Sequence, residues 1–375
     1  MASTTKIEWA TKSWNPLAGC SKVSEGCRNC YAMRMAQRLA AMALTDIEAG
    51  RNPGRKGYYV NVVRYAEPAP GAVGAGLDTK PLPQWNGVVE LIAEALHDPL
   101  HWRTPQRVFV NSMSDLFHAQ VPFGFADAVF AIINATHIYP PKQGHTPDDA
   151  RLWHNYLILT KRPENMAKYV ASRNAKHYGL GEHPIIRVRG EVFRGQGRAL
   201  MNSAAIVVLP PQNAMLGVSI ENQQEADKRR EHMRAIADAG WQTWVSYEPA
   251  LGPVDWTGWE FIKWMVSGGE SGKDARPSHP DWHRSTLDWC QLHRVPYFFK
   301  QWGAWAPTDD DDPRFDNSAW VHVTANGLLG KINSLQGPEV MGEPATCMSR
   351  VGKKAAGRQL DGREWNELPQ IGGGA

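Results

Sequence analysis

Six short apolar runs, rich in β-branched and aromatic residues, recur along the chain, and each closes on a polar cluster. They are VFVNSMSD (108–115), YLILTKRP (156–163), MLGVSIENQ (215–223), TWVSYEP (243–249), KWMVSGGES (263–271) and PYFFKQWG (296–303). Segments between them, such as Gln224–Ala239 ending at Gly240, carry apolar and charged residues at helical spacing. Continuous apolar strands alternating with helices predict parallel βαβ units whose sheet is covered on both faces. With a further element near Trp9–Pro16, the pattern predicts an α/β fold, a partial or complete (β/α) barrel. A doubly wound open sheet is the alternative.

The polar residues fall where the strands end. Ser114 and Asp115, Lys161 and Arg162, Glu221 and Asn222, Glu248, Glu270 and Ser271, and Lys300 and Gln301 each follow the apolar part of a strand. Ligands bind at the carboxyl ends of strands in barrels and open α/β sheets alike. Any one of these residues could equally cap a helix or open a solvated loop. Six strands ending the same way point to a shared polar site.

At 375 residues the chain can hold one large α/β domain or two average ones. Residues 1–305 are expected to form the barrel, with insertions at 45–87 and 161–198, and 306–375 a C-terminal extension packed on it. The first insertion is rich in Gly and Pro. The second holds nine Lys or Arg against three acidic residues, which suits either phosphate contact or a solvated face. The extension opens on Asp309–Asp312 and ends in GKKAAGRQLDGREWNELP. No run approaches the roughly 18 apolar residues of a membrane span, and MASTTKIEWATKSW lacks a secretory apolar region. No membrane association and a cytoplasmic location are therefore expected. A net charge of +3 does not by itself indicate a polyanion partner. Sixteen tryptophans suit a core or the stacking of flat ligands.

Of five cysteines, Cys20, Cys27 and Cys30 lie within eleven residues, in GCSKVSEGCRNCYAMR. Three thiolates at C-x6-C-x2-C spacing call for a soft metal or a cluster. A structural zinc needs a fourth ligand, yet the first histidine is His97, and Cys290 and Cys347 are remote. A [4Fe–4S] cluster held by three cysteines keeps one iron open to a non-protein ligand. Zinc completed by a distant histidine stays as the alternative. Cys290, in STLDWCQLHR, reads as a buried small hydrophobe.

Three cysteines in a loop after the first strand of a (β/α) barrel, with Tyr31 after the last, resemble the radical S-adenosylmethionine (SAM) enzymes. The chain departs from the usual C-x3-C-x2-C by three extra residues in the first gap. CRNCYAMR, GLDTK, EALHDPLHWRTPQRVFVNSMSDLFHAQVP, LILTKRP and GVSIENQ run in the same order as similar segments in spore photoproduct lyase-like enzymes. To about Gly303 the chain is also similar to the three-Cys-motif family of phage and bacterial proteins. The marks are IEW–SWNP–GC, SYEP–LGPVD, GGESG–ARP–HPDW and FFKQWG.

The resemblance implies a [4Fe–4S] cluster on Cys20, Cys27 and Cys30, with SAM on its open iron and cleaved to a 5′-deoxyadenosyl radical. It implies Tyr31 near the adenine. Ser112, Ser114 and Asp115 are implied around the methionine ammonium. Lys161, with Arg162, is implied at the methionine carboxylate or a substrate phosphate, and Glu221 and Asn222 at the ribose or substrate. Glu248, Glu270 and Lys300 are substrate-side candidates. A reducing partner such as flavodoxin or ferredoxin follows, with a nucleic acid or nucleotide as substrate. A peptide or small metabolite, or a non-catalytic zinc or iron–sulfur protein, are the other readings.

Overall fold

Seven strands carry the architecture: β1 (Lys12–Trp14), β2 (Arg107–Val110), β3 (Asn155–Thr160), β4 (Ala214–Ser219), β5 (Thr243–Tyr247), β6 (Met265–Gly268) and β7 (Tyr297–Gln301). Five helices accompany them: α1 (Tyr31–Glu48), α2 (Phe123–Ile138), α3 (Pro163–Asn174), α4 (Gln223–Asp238) and α5 (Pro280–His293). The computed structural model describes residues 5, 7–66, 82–138, 154–174, 185–188, 205–308, 312–314, 319–327, 329–330, 339–340 and 343–371.

All six apolar runs and the N-terminal element are strands. They are hydrogen-bonded in simple chain order, β1 to β7. Pairing is parallel from β1 through β3 and again from β4 through β7. A doubly wound sheet reverses its order at a switch point; here there is no reversal, so that alternative drops out. Among the described residues β1 and β7 do not pair with each other. The fold is a partial (β/α) barrel, as the sequence pattern predicts.

The chain divides into two compact units. The first comprises Met1–Lys6, Ala10–Val23 and Cys30–Ala214. In it, α1 buries a stripe of Ala32, Ala36, Ala40 and Ala43. These small residues let the helix approach Tyr59, Val62, Trp85 and Ile92 closely. The Gly- and Pro-rich stretch after α1 supplies a 3-10 turn, Gly54–Tyr59, and the antiparallel pair Val63–Ala66 and Leu82–Trp85. On the other side, α3 buries Tyr169, which stacks on Phe130 of α2 at 5.5 Å. Arg173 closes this contact with a buried ion pair to Asp127 at 2.6 Å.

The second unit comprises Ile7–Trp9, Ser24–Asn29 and Met215–Ala375. Its core is tryptophan-rich: Trp9, Trp244 and Trp264 pack within 5.8 Å of one another. Gly217 of β4 makes this possible, because a Cβ there would lie 2.3 Å from the Trp244 ring. Beyond β7, Trp320–Thr324 pairs antiparallel with Glu343–Ser349. The segment 365–367 returns to β7, where Phe299 donates to the Trp365 carbonyl and Glu367 to the Tyr297 carbonyl, at 2.9 and 3.2 Å. Among the described residues no helix is long and apolar enough to cross a membrane.

Candidate functional site

The cysteine loop begins at Gly19, whose φ of +94° and contact with the Val88 carbonyl exclude a side chain. In the first unit its anchor is Arg162, the residue before α3. The Arg162 Nη1 donates to Asp115 Oδ2 at 2.8 Å and faces the Cys20 Sγ at 3.7 Å. Nη2 donates to the Ser21 carbonyl and to Ser21 Oγ, both at 2.8 Å. Asp115 is buried and fully occupied. Its carboxylate also accepts from Thr160 Oγ1 at 2.7 Å, from the Phe117 amide at 3.0 Å and from the Lys161 amide at 3.4 Å.

His118 completes the cluster. Burial and the nearby Arg162 hold its imidazole below the usual range. Its Nδ1 accepts the Gln120 amide at 3.3 Å, which leaves Nε2–H to meet Ser21 Oγ at 2.9 Å. Burial and the Asp115 carboxylate push the Cys20 thiol up to about 12, against the pull of Arg162. Tyr31 stands 52% exposed, with its hydroxyl donating to the Ser112 carbonyl at 2.6 Å. Ser112 Oγ donates to Asn15 at 3.2 Å and Ser114 Oγ to the Leu17 carbonyl at 3.1 Å. These two serines thus fix the entry to the loop.

In the second unit, two buried carboxylates hold the stretch that carries Cys27. Glu221, 0% exposed, accepts from Ser24 Oγ at 2.6 Å and from Arg229 of α4 at 2.8 Å. Gly26 lies against it, and a Cβ at that position would meet Glu221 Oε1 at 2.3 Å. Glu270 accepts from Asn29 Nδ2 at 2.9 Å and, in a forked pair, from Arg276 at 2.9 and 2.7 Å. Arg276 also donates to the Glu25 carbonyl at 3.0 Å. Burial pushes the Glu270 carboxyl up, but the Arg276 and Asn29 hydrogen bonds leave it below the usual range. Ser24 Oγ is the near neighbour of Cys27 Sγ, at 3.9 Å.

Glu248 behaves differently. Its carboxylate pairs with Lys300 Nζ at 2.8 and 2.9 Å and accepts from Gln301 Nε2 at 3.3 Å. The Glu248 and Lys300 side chains keep 18% and 15% of their exposure. The amide oxygen of Gln301, Oε1, is buried without a hydrogen-bond partner among the described residues. Asn222 is the N-cap of α4, accepting the Glu225 amide at 3.1 Å.

The candidates thus separate by role. Asp115, Glu221 and Glu270 brace the cysteine loop, Asn222 caps a helix, and Glu248 with Lys300 forms a partly open ion pair. Arg229, Arg276, Ser21, Ser24, Asn29 and His118 are loop-bracing residues that the motifs do not single out. Among the described residues no three His, Cys, Asp or Glu side chains are arranged around one metal ion. A cubane cluster asks for something else, because its cysteines bind separate irons. Of the basic stretch 161–198, Arg162 and Arg173 are consumed in buried ion pairs. Arg187 lies in the strand Ile185–Val188; Arg189, Arg194 and Arg198 lie outside the described residues.

A family model described as "Protein of unknown function (DUF5131)" matches residues 4–369. No curated protein matches the chain. Among solved structures, a spore photoproduct lyase mutant with bound AdoMet and dinucleoside spore photoproduct is similar at 10% identity and a TM-score of 0.33. A spore photoproduct lyase complexed with dinucleoside spore photoproduct is similar at 11% identity and a TM-score of 0.32. Each match takes in 72% of this chain but 58% of the lyase, so this chain spans less than two-thirds of the lyases' length.

Proposed function

The chain belongs to the DUF5131 family, and we propose that it works as a radical SAM enzyme, with Cys20, Cys27 and Cys30 holding a [4Fe–4S] cluster. The donor set carries this reading: three thiols in C-x6-C-x2-C, in a loop braced at both ends, with a guanidinium at 3.7 Å from the first sulfur. Three sulfur donors match iron–sulfur ligation with one iron open, and fall one short of a closed zinc site. Bound there and reduced, such a cluster supplies the electron that cleaves SAM to methionine and a 5′-deoxyadenosyl radical.

The chain's own residues then divide the remaining work. Tyr31, half exposed directly after Cys30, offers a ring face to the adenine. The Glu248–Lys300 pair has both signs of charge at strand ends and would orient polar substrate groups. The substrate we propose is a nucleic acid or nucleotide, supported by five Lys or Arg against two acidic residues in 175–198. The electron comes from an external low-potential carrier such as a flavodoxin or ferredoxin.

The test is anaerobic reconstitution followed by iron and sulfide analysis, then dithionite and SAM. The expected result is a brown, iron-containing protein that releases 5′-deoxyadenosine. Stoichiometric zinc without iron, or no SAM binding by calorimetry, would overturn the reading. For the substrate, fluorescence anisotropy with labelled DNA and RNA should show binding that weakens steeply with salt, as released counterions require. No binding to either at low salt would redirect the search to peptides and metabolites.

A further inference from the structure

We propose that Arg162 is a positioning residue for the cluster, fixing the Cys20 sulfur in place and raising the reduction potential of the cluster it helps to hold. The inference rests on reading the cysteine loop as a cluster site. Its basis is the number of fixed points that meet on one guanidinium. One fork arm spans the Asp115 carboxylate and the Cys20 sulfur, and the other spans the carbonyl and the hydroxyl of Ser21. Residues 20 and 21, the first part of the cysteine loop, are therefore both held by this one side chain, with His118 adding a second contact to Ser21 Oγ.

That side chain is itself immobilised. The Arg162 amide donates to Thr160 Oγ1 at 2.9 Å, and Thr160 donates onward to Asp115 at 2.7 Å. The Arg162 carbonyl starts α3 by accepting the Asn165 and Met166 amides at 3.1 and 3.2 Å. Both Arg162 and Asp115 are about 6% exposed at the side chain. A planar fork with five donors can serve this many partners at once, whereas an ammonium is a single point of charge.

The electrostatic consequence has a definite sign. Reduction adds negative charge to a cluster and its sulfurs, and an N–H donor with a positive charge beside a sulfur stabilises that form, raising the potential. Among the described residues, the neutral Ser24 hydroxyl stands at 3.9 Å from the Cys27 sulfur in the corresponding place. Arg162 therefore places a cation against the first sulfur of the loop, where Cys27 meets a neutral hydroxyl.

The experiment compares anaerobically reconstituted full-length protein with Arg162→Lys and with the paired variant Arg162→Gln, Asp115→Asn. The second variant removes both charges together, so that neither is left buried alone if the lysine variant fails to fold. Two quantities are read without SAM or substrate: the rate of iron loss to a chelator, followed by absorbance, and the midpoint potential, followed by electron paramagnetic resonance. Both variants should lose iron roughly tenfold faster, in line with the loss of an outer-shell contact, and Arg162→Lys, which keeps Asp115 but loses the forked contact to the Cys20 sulfur, should titrate at a lower potential than the parent. Parent-like iron retention and potential in a folded variant, even with a lowered melting temperature, would overturn the proposal, because Arg162 would then be a structural brace only. A parent protein that takes up no iron would overturn the cluster reading itself, and this inference with it.

Discussion

The cysteine loop is gripped in two ways along its length. Residues 20 and 21 are held by a cation, Arg162, which touches a sulfur directly. Residues 24–29 are held by two anions, Glu221 and Glu270, each through a neutral group: one accepts from the Ser24 hydroxyl and the other from the Asn29 amide. The signs explain the division. A thiolate ligand tolerates a guanidinium in contact, but a carboxylate must be set back behind a neutral donor. Each carboxylate is in turn balanced by its own arginine, Arg229 or Arg276, since a buried charge left unpaired is costly. The loop is thus shaped by charges of both signs, and the guanidinium is the charged group described in contact with a sulfur.

The most drastic way to break the comparison is to remove a ligand from either stretch. Cys20→Ala, Cys27→Ala and Cys30→Ala should each abolish the iron chromophore after reconstitution, whereas Cys290→Ala and Cys347→Ala should keep it. Iron and sulfide analysis reads the outcome.

Next in size is the anionic grip itself. Glu221→Gln leaves Arg229 without this buried partner and should cost about 3–5 kcal/mol in denaturant unfolding, with weaker iron retention. Glu248→Gln, in a pair whose side chains keep 15–18% of their exposure, should cost less than Glu221→Gln and keep the iron. Equal losses in the two variants would erase the distinction between bracing and open carboxylates.

Acid probes the frame behind the second grip. His283 is completely buried between Ser267 on β6 and Ser278, at 2.6 and 3.0 Å. Burial depresses its pKa from 6.5 to about 3. The unfolded chain therefore takes up a proton that the folded chain refuses, so stability is complete above pH 6.5 and is lost as pH falls toward 3. The slope should be about 1.4 kcal/mol per pH unit in that window. His118, behind the first grip, is depressed in the same direction by burial and Arg162. In denaturant unfolding as a function of pH, His283→Gln should flatten the acid limb; an unchanged limb would remove His283 as its source.

The smallest effect separates helix capping from ligand binding. Asn222→Ala should lower stability by about 1 kcal/mol through the lost cap, without changing iron content or SAM affinity measured by calorimetry.

Sequence patterns reveal the strands because parallel strands buried on both faces read as unbroken apolar runs, as β4 does with all six residues buried. Spacing alone also identifies the cysteine loop. The bracing arginines are hidden for a physical reason: Arg229 lies eight residues beyond Glu221 on a mixed-charge helix, and Arg276 sits in a polar loop. Nothing local distinguishes an arginine that folds inward from one that stays in solvent. Asn222 could be a ligand or a cap on position alone, and Glu225 three residues later is the signal that favours the cap.

The return of residues 365–367 to β7 has a consequence for the handling of this protein. An incomplete barrel has a terminal strand whose backbone groups can recruit strands from other molecules. Here the Tyr297 and Phe299 backbone is engaged by Trp365 and Glu367, and Phe298 bridges to Asn366. The Glu367 carboxylate further accepts the Tyr297 amide at 2.9 Å. A polypeptide cut just before Trp365 would uncover YFFKQ, a nearly all-buried strand, and would turn a closed border into a template for self-association. Residues more than 330 positions from the cysteine loop would then govern whether the protein stays in solution.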